Sequence, residues 1–352
     1  MDWTRGYSVT AWRLYEVDPR TWADGAEIAG VTSATVERSC SKSDAAPPIE
    51  SGSVELSVPV GSDFGERVVR LAMVAEQDGV AERVDVATML AAGVGGSVER
   101  GMDALELDCR SVLWPAAVRE VPCGSSCPAG VDAPTWAAEA LSEAVPAPVA
   151  WEGGFALDEP YVFDPHETVL GAAWRVLRAG GWTISIDGRG EVRVGPVPTE
   201  PALLLDQAGA RLLMPDVAHE LDWTGVPNRY RATDGLLYAE AVNDDPTSPT
   251  STASRGYVHD GDGLDESPVR VGGESLAEYC ARRLEEESVA LDVRGYDRKY
   301  WPGVVPGSLV RGTLPTAGIE GDLRVQRQTL SCGAGLFVSE EAAREVAAWT
   351  RS

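Results

Sequence analysis

The chain has 352 residues, a formal net charge of -25, a pI near 4.5 and 44% hydrophobic residues. That length exceeds what one hydrophobic core serves and predicts two or three domains, while the hydrophobic share excludes disorder over most of the chain. The acidic field repels polyanions and anionic membrane surfaces, which excludes a nucleic-acid grip built on counterion release.

No apolar run approaches the ~20 residues of a membrane-spanning helix. The opening Met1-Asp2-Trp3-Thr4-Arg5-Gly6 lacks the apolar stretch of a secretory signal, so synthesis in the cytoplasm is expected. From Ser8 to about Arg119 apolar residues recur at every second position: Trp12 and Leu14; Val54, Leu56 and Val58; Val69, Leu71 and Met73; Val84 and Val86; Leu105, Leu107 and Cys109. Such alternation predicts half-buried strands, and Ser43-Asp44-Ala45-Ala46-Pro47-Pro48 and Gly93-Val94-Gly95-Gly96 read as the turns between them. The expectation is an antiparallel barrel or sandwich.

From Val121 to about Pro198 the pattern changes. Asp132-Ala133-Pro134-Thr135-Trp136 predicts a helix running to about Ala144, with proline in its first turn where no N–H is needed. Asp164-Pro165-His166-Glu167 has capping-box spacing and predicts a second helix, whose Leu170, Ala173, Trp174 and Leu177 form one stripe before Gly180-Gly181 ends it. A hairpin follows, Trp182 to Ile186 and Val192 to Val194, turning at Asp187-Gly188-Arg189-Gly190.

Strands are expected at Arg211 to Met214, Pro227 to Ala232 and Leu236 to Val242, then a disordered-looking polar loop from Asn243 to Ser251. A helix from Glu274 to Glu287 presents Leu276, Tyr279, Cys280 and Leu284 on one side. Its terminal Glu285-Glu286-Glu287 opposes the helix dipole, so packing or partners must hold it. Val289, Leu291 and Val293 resume strand alternation, followed by Leu309 to Leu314 and Asp322 to Cys332. Ser339-Glu340-Glu341 through Thr350 reads as a capped helix with acids in its first turn.

These pieces, in this order, resemble the tail hub proteins of long-tailed bacteriophages. The resemblance is carried by Leu170 to Leu177 with Gly181 to Val192, by Pro227-Asn228-Arg229-Tyr230, by Asn243 to Ser251, by the Glu274 helix, by Val305-Pro306-Gly307-Ser308-Leu309-Val310, and by Gly318 to Val325. It covers residues 150 to 335 by motif and the first barrel only by pattern. One departure is Ser308, where the family's turn often has an acid.

The resemblance implies a mainly β fold with an α/β module: two tube-type antiparallel β-barrel domains, the second interrupted by a helical insertion, with a small α/β domain between them. On this reading residues 1–119 are the first barrel, 120–198 the α/β module, 199–242 and 289–338 the split second barrel, 243–288 a loop plus helix insertion, and 339–352 a C-terminal helix. It further implies a virion component of the tail tip, assembled in the host cytoplasm: a homotrimeric ring that adapts the six-fold tail tube or distal tail ring to three-fold tip parts. The implied partners are a distal tail or tail tube protein, the tape-measure protein and tip fibres or spikes; DNA passes through the lumen without specific binding, and the membrane is not entered.

No zinc-protease, serine-hydrolase, phosphate-loop or dinucleotide motif occurs, and the residues after the second barrel leave no room for an added hydrolase domain, so no catalytic residue, cofactor or metal site is expected. His259 to Glu266 holds Asp260, Asp262, Asp265 and Glu266, which calcium would suit, but the spacing is not that of an EF-hand and a solvated acidic loop is the preferred reading. Cys123 and Cys127, the one close pair of six cysteines, are read as free thiols, a local disulfide being the alternative. Trp22, Trp151, Trp301 and Trp349 are candidates for stacking on sugars or anchoring protein contacts. The competing readings are a glycan- or receptor-binding tail-tip adhesin, a distal tail ring protein and a cell-wall hydrolase.

Overall fold

The period-two segments of the first hundred residues form strands because alternation gives each one apolar face to bury. The computed structural model describes residues 1–349 apart from 41–48, 61, 63, 100, 101, 207–212, 262, 272 and 334. The turn expected at Ser43 to Pro48 therefore lies outside the described residues. The strands are β1 Ser8–Val17, β2 Asp24–Ile28, β3 Val31–Ser39, β4 Ile49–Pro59, β5 Arg67–Gln77, β6 Val80–Glu99 and β7 Met102–Ser111. They pair antiparallel in the order β3-β4-β7-β6-β5-β1-β2. Leu14 of β1 and Val36 of β3, near opposite ends of that order, share one core with Val54, Leu71, Met89 and Leu107, so the sheet curls around it. Gly93 to Gly96 is not a turn: it lies inside β6, where glycines sit in extended backbone along the strand.

The α/β module comprises α1 Trp114–Val118, β8 Ser126–Cys127, α2 Ala133–Ala144, β9 Val149–Trp151, β10 Tyr161–Val162, α3 Val169–Ala179, β11 Trp182–Ile186 and β12 Val192–Pro196. Val112, Leu113 and Ala116 pack with α2 and α3, so residues after Ser111 belong to this core rather than to the first barrel. Asp132 caps α2 as the sequence suggests, accepting the Thr135 N–H at 2.9 Å. The second helix starts later than the Asp164 box implied. His166 takes a left-handed backbone (φ 68°), which stops a helix from starting there, and Thr168 caps α3 instead by accepting the Gly171 N–H at 3.1 Å.

The second half contains β13 Pro201–Leu205 and β14 Leu213–Asp222, then an insert, then β18 Val289–Lys299, β19 Leu309–Leu314, β20 Ile319–Cys332 and β21 Leu336–Ala347. Its order is β14-β18-β21-β20-β19-β13, antiparallel throughout except that β13 runs parallel to β19. Leu203, Tyr296, Val310, Ile319, Val325 and Ala342 form its core. Where a C-terminal helix was expected from residue 339, β21 runs from Leu336 to Ala347 instead, with Leu336, Val338, Glu340 and Ala342 facing inward in alternation; residues 350–352 of that expectation lie outside the described residues. Glu340 read as an acid in a helix's first turn because its buried cation, Arg298, is 42 residues away in sequence.

The insert is larger than residues 243–288. It holds β15 Arg229–Thr233, β16 Tyr238–Val242, α4 Thr252–Arg255, β17 Leu264–Asp265 and α5 Leu276–Glu287, and β15 and β16 leave the barrel to form a separate three-stranded sheet with β17, packed on α5 through Ala232, Leu276 and Tyr279. The Asn243 to Ser251 loop is ordered, with Asn243, Ser248, Thr250 and Ser251 all buried. Asn243 Nδ2 donates to Ser248 Oγ at 2.9 Å and Ser248 Oγ donates to the Ala348 carbonyl at 2.6 Å, so the polar side chains that look solvent-seeking satisfy each other inside. The acid run that ends α5 is held by Arg282, which bridges Glu274 and Glu286, and by Arg283, which bridges Glu286 and Glu287.

Candidate assembly interface

The two halves repeat one topology. Strands β1, β3, β4, β5, β6 and β7 correspond in chain order to β13, β14, β18, β19, β20 and β21, and both sets are arranged in the same sequence across the sheet. The correspondence reaches single residues. β6 carries an extra residue against β7 between Ala91 and Gly93, and β20 carries one against β21 between Val325 and Arg327. Setting Ala91 on Val325 also matches their partners, since Arg67 lies opposite Ala91 while the Val325 N–H donates to the Ser308 carbonyl at 3.0 Å. β2 has no counterpart, and the direction of β13 differs from that of β1.

The halves meet where β20 changes partner. One edge of β20 lies along β21, and the other is divided: Ile319 to Arg324 pair with β19, while Arg327 to Cys332 pair with β3, from Arg327↔Ser39 to Cys332↔Ala34. The bulged Gln326 marks the handover, its carbonyl accepting the Cys40 N–H at 2.9 Å. Thirteen strands thus form one continuous sheet. Leu330, Cys332, Leu336 and Val338 enter the first-half core beside Ala34 and Val36, so the junction is sealed by packing as well as by backbone bonds.

Two buried ion pairs flank the junction. Arg38 Nε donates to Glu50 Oε1 at 2.7 Å and Arg38 Nη2 to the Val86 carbonyl at 2.5 Å. Burial raises the Glu50 carboxyl above its ordinary value despite Arg38, and its second oxygen has no hydrogen-bond partner among the described residues. Glu340 is better served: Arg298 Nη2 donates at 2.5 Å, Tyr296 Oη at 2.6 Å and Gln328 Nε2 at 2.6 Å. Burial alone would raise Glu340, but Arg298 and these hydrogen bonds outweigh it and hold the carboxyl below its usual value.

The α/β module is fastened to the first half by its hairpin turn. The fully buried Arg70 side chain bonds Asp24, Thr88 Oγ1 at 3.0 Å and the Arg189 carbonyl at 3.1 Å, and Trp22 Nε1 donates to the same carbonyl at 2.8 Å. Gly188 is required there, because a Cβ would lie 2.1 Å from the Asp85 carbonyl oxygen.

In the acidic stretch singled out in the sequence, Asp260 and Asp265 are spent on internal pairs and Glu266 is exposed. Asp260 bridges Arg229 and Arg231, and Asp265 accepts the hydroxyls of Tyr230 at 2.9 Å and Tyr279 at 2.6 Å; Asp262 lies outside the described residues. No cluster of metal-ligating side chains occurs among the described residues. Of the four tryptophans, only Trp151 is exposed (42%), whereas Trp22, Trp301 and Trp349 are half-buried. Cys123 and Cys127 are free thiols, exposed and buried respectively, and burial pushes Cys127 up to about 11. Ser308, the departure noted from the resemblance, closes its turn, its Oγ accepting the Val305 N–H at 3.1 Å. Two like β domains were expected only through the resemblance; the residue-by-residue match of the halves, with its shared bulge, depends on strand pairing that alternation does not report.

No family model matches the sequence, and no curated protein does. Solved structures do. A tail protein from Neisseria meningitidis MC58 superposes with a TM-score of 0.64 at 15% identity over 97% of both chains. The 43 kDa tail protein of prophage MuSo2 from Shewanella oneidensis gives 0.58 at 12% identity over 95% of this chain and 97% of its own. The chain has the mainly β fold of phage tail proteins.

Proposed function

We propose that the protein is a structural subunit of a phage tail tip, a hub that assembles as a ring of three. The observation that carries this reading is the internal repeat: three chains, each with two halves that share six strands in one order, present six similar units. Such a ring mates with a six-fold tail tube or distal ring on one side and with three-fold tip parts on the other, because closed rings need repeated, equivalent patches. The tape-measure protein and then DNA pass through its centre, where the net charge of -25 disfavours holding phosphates. Catalysis has no part in this function; interfaces do the work.

The test is the mass of the full chain in solution together with labelling of purified tails. Three copies per particle and label at the distal tip agree with the proposal. A monomer at all concentrations that is absent from virions contradicts it, and six-fold order in its place would favour a distal tail ring.

A further inference from the structure

The in-chain junction leaves two halves of a second junction open. The segment of β20 that binds β3 is Arg327 to Cys332; by the shared bulge, its counterpart on β6 is Gly93 to Val98. β5 covers β6 only as far as Ala91, so the edge from Gly93 onward has no strand partner among the described residues. The segment of β3 that receives β20 is Ala34 to Ser39, and tracing the pairs through β4 and β18 maps it onto Val217 to Asp222 of β14. The edge of β14 away from β18 is likewise without a strand partner among the described residues.

We infer that β6 of one copy adds to β14 of the next, in antiparallel register, reproducing between chains the junction already made within each. The inference rests on the proposed ring and names the surface that closes it. Copying the internal register pairs Gly93 with Asp222, Val94 with Leu221, Gly95 with Glu220, Gly96 with His219, Ser97 with Ala218 and Val98 with Val217.

Three observations favour this pairing. At the internal junction the inward side chains are Gln328, Leu330 and Cys332 against Ala34, Val36 and Arg38, all buried. Their counterparts Val94, Val98 and Leu221 are apolar yet 45%, 66% and 39% exposed, and Val217 is half-buried, so the open edges carry the residue types of a covered surface. The charges also agree. Glu220 and Asp222 fall opposite glycines, so no like-charged side chains meet across the pairing. Finally, Gly96 leaves room for His219, which leans on Asp292 at 2.8 Å, where the internal junction has Leu330 beside Val36. Pro215, which has no N–H to give, lies just before the paired segment of β14 and limits how far the addition extends. A head-to-tail contact of this kind joins two different patches and generates rings when the rotation closes.

The experiment is disulfide trapping in the full chain, with Cys123→Ser removing the exposed native thiol. Directly opposed residues of an antiparallel pair lie within disulfide reach, so Val94→Cys with Leu221→Cys should give covalent dimers and trimers on oxidation, reversed by reductant. The off-register pair Val94→Cys with Ala218→Cys should cross-link at least about tenfold more slowly. Both sites are exposed, so the variants test pairing rather than folding. A three-copy mass without in-register cross-linking overturns this interface and leaves the ring standing. A one-copy mass at every concentration, with no intermolecular bond, overturns both.

Discussion

Strands β3 and β14 hold the same place in the two halves, and their fates differ. On β3, Ala34, Val36 and Arg38 are buried beneath β20, and Arg38 is bonded to Glu50 and the Val86 carbonyl. On β14 the corresponding Val217, His219 and Leu221 stand half-buried or exposed. The same contrast separates Gln328, Leu330 and Cys332 of β20 from Val94, Gly96 and Val98 of β6. A position is therefore core where a strand of the same chain covers it and surface where, among the described residues, none does. Open edges are hazards that proteins ordinarily blunt with charge, yet these keep apolar side chains, as edges meant for a partner do.

The largest expected effect breaks the better-served ion pair. Glu340→Ala leaves Arg298 buried without its anion and should cost about 3–5 kcal/mol, read as a lowered thermal midpoint. Glu50→Ala, whose carboxylate makes fewer hydrogen bonds, should cost less, and equal losses would contradict the difference drawn between the two pairs. Next is Val94→Glu, which places a carboxylate against Leu221 at the proposed contact. It should weaken association by about a hundredfold or more, since an unpaired buried charge costs several kcal/mol. The thermal midpoint of the single chain should not move, and an unchanged particle mass would show that β6 lies outside the contact.

The pairs should also separate by pH. Glu340, held low, contributes stability above the ordinary carboxylate range that is lost as pH falls through its folded value. Glu50, held high, contributes in the opposite sense: its share is present at low pH and lost as pH rises through its folded value. Thermal midpoints taken on acidification should fall less steeply in Glu340→Gln and more steeply in Glu50→Gln than in the parent chain; the reverse order would invalidate the assignment. The smallest effect is expected at Ser308→Ala, where losing the acceptor for the Val305 N–H should cost about 1 kcal/mol, visible in the same melting assay.

Much of the strand content was legible because alternation is a local signal. The Asp132 cap and the Asp187 to Gly190 turn were legible for the same reason, each resting on bonds between near neighbours. What failed depended on distant partners. Glu340 read as a helical acid because Arg298, Tyr296 and Gln328, which explain an inward carboxylate on a strand, come from other strands. Asn243 to Ser251 read as disordered because its hydroxyls find partners inside, one of them the Ala348 carbonyl. β15 and β16 read as barrel strands because alternation says which face is buried and not which sheet the strand joins. The candidate interface was the least legible of all, since a free edge is defined by what does not pair with it, and the glycines at 93, 95 and 96 look like a turn until the register of β7 is known.

The central claim is that two like halves in one chain build a six-unit face from three copies. A single-particle reconstruction of the purified assembly tests it most directly. Three chains around one axis, with six similar lobes alternating between within-chain and between-chain junctions, is the predicted result. Lobes unrelated by a sixth of a turn, or chains arranged without a threefold axis, would contradict it.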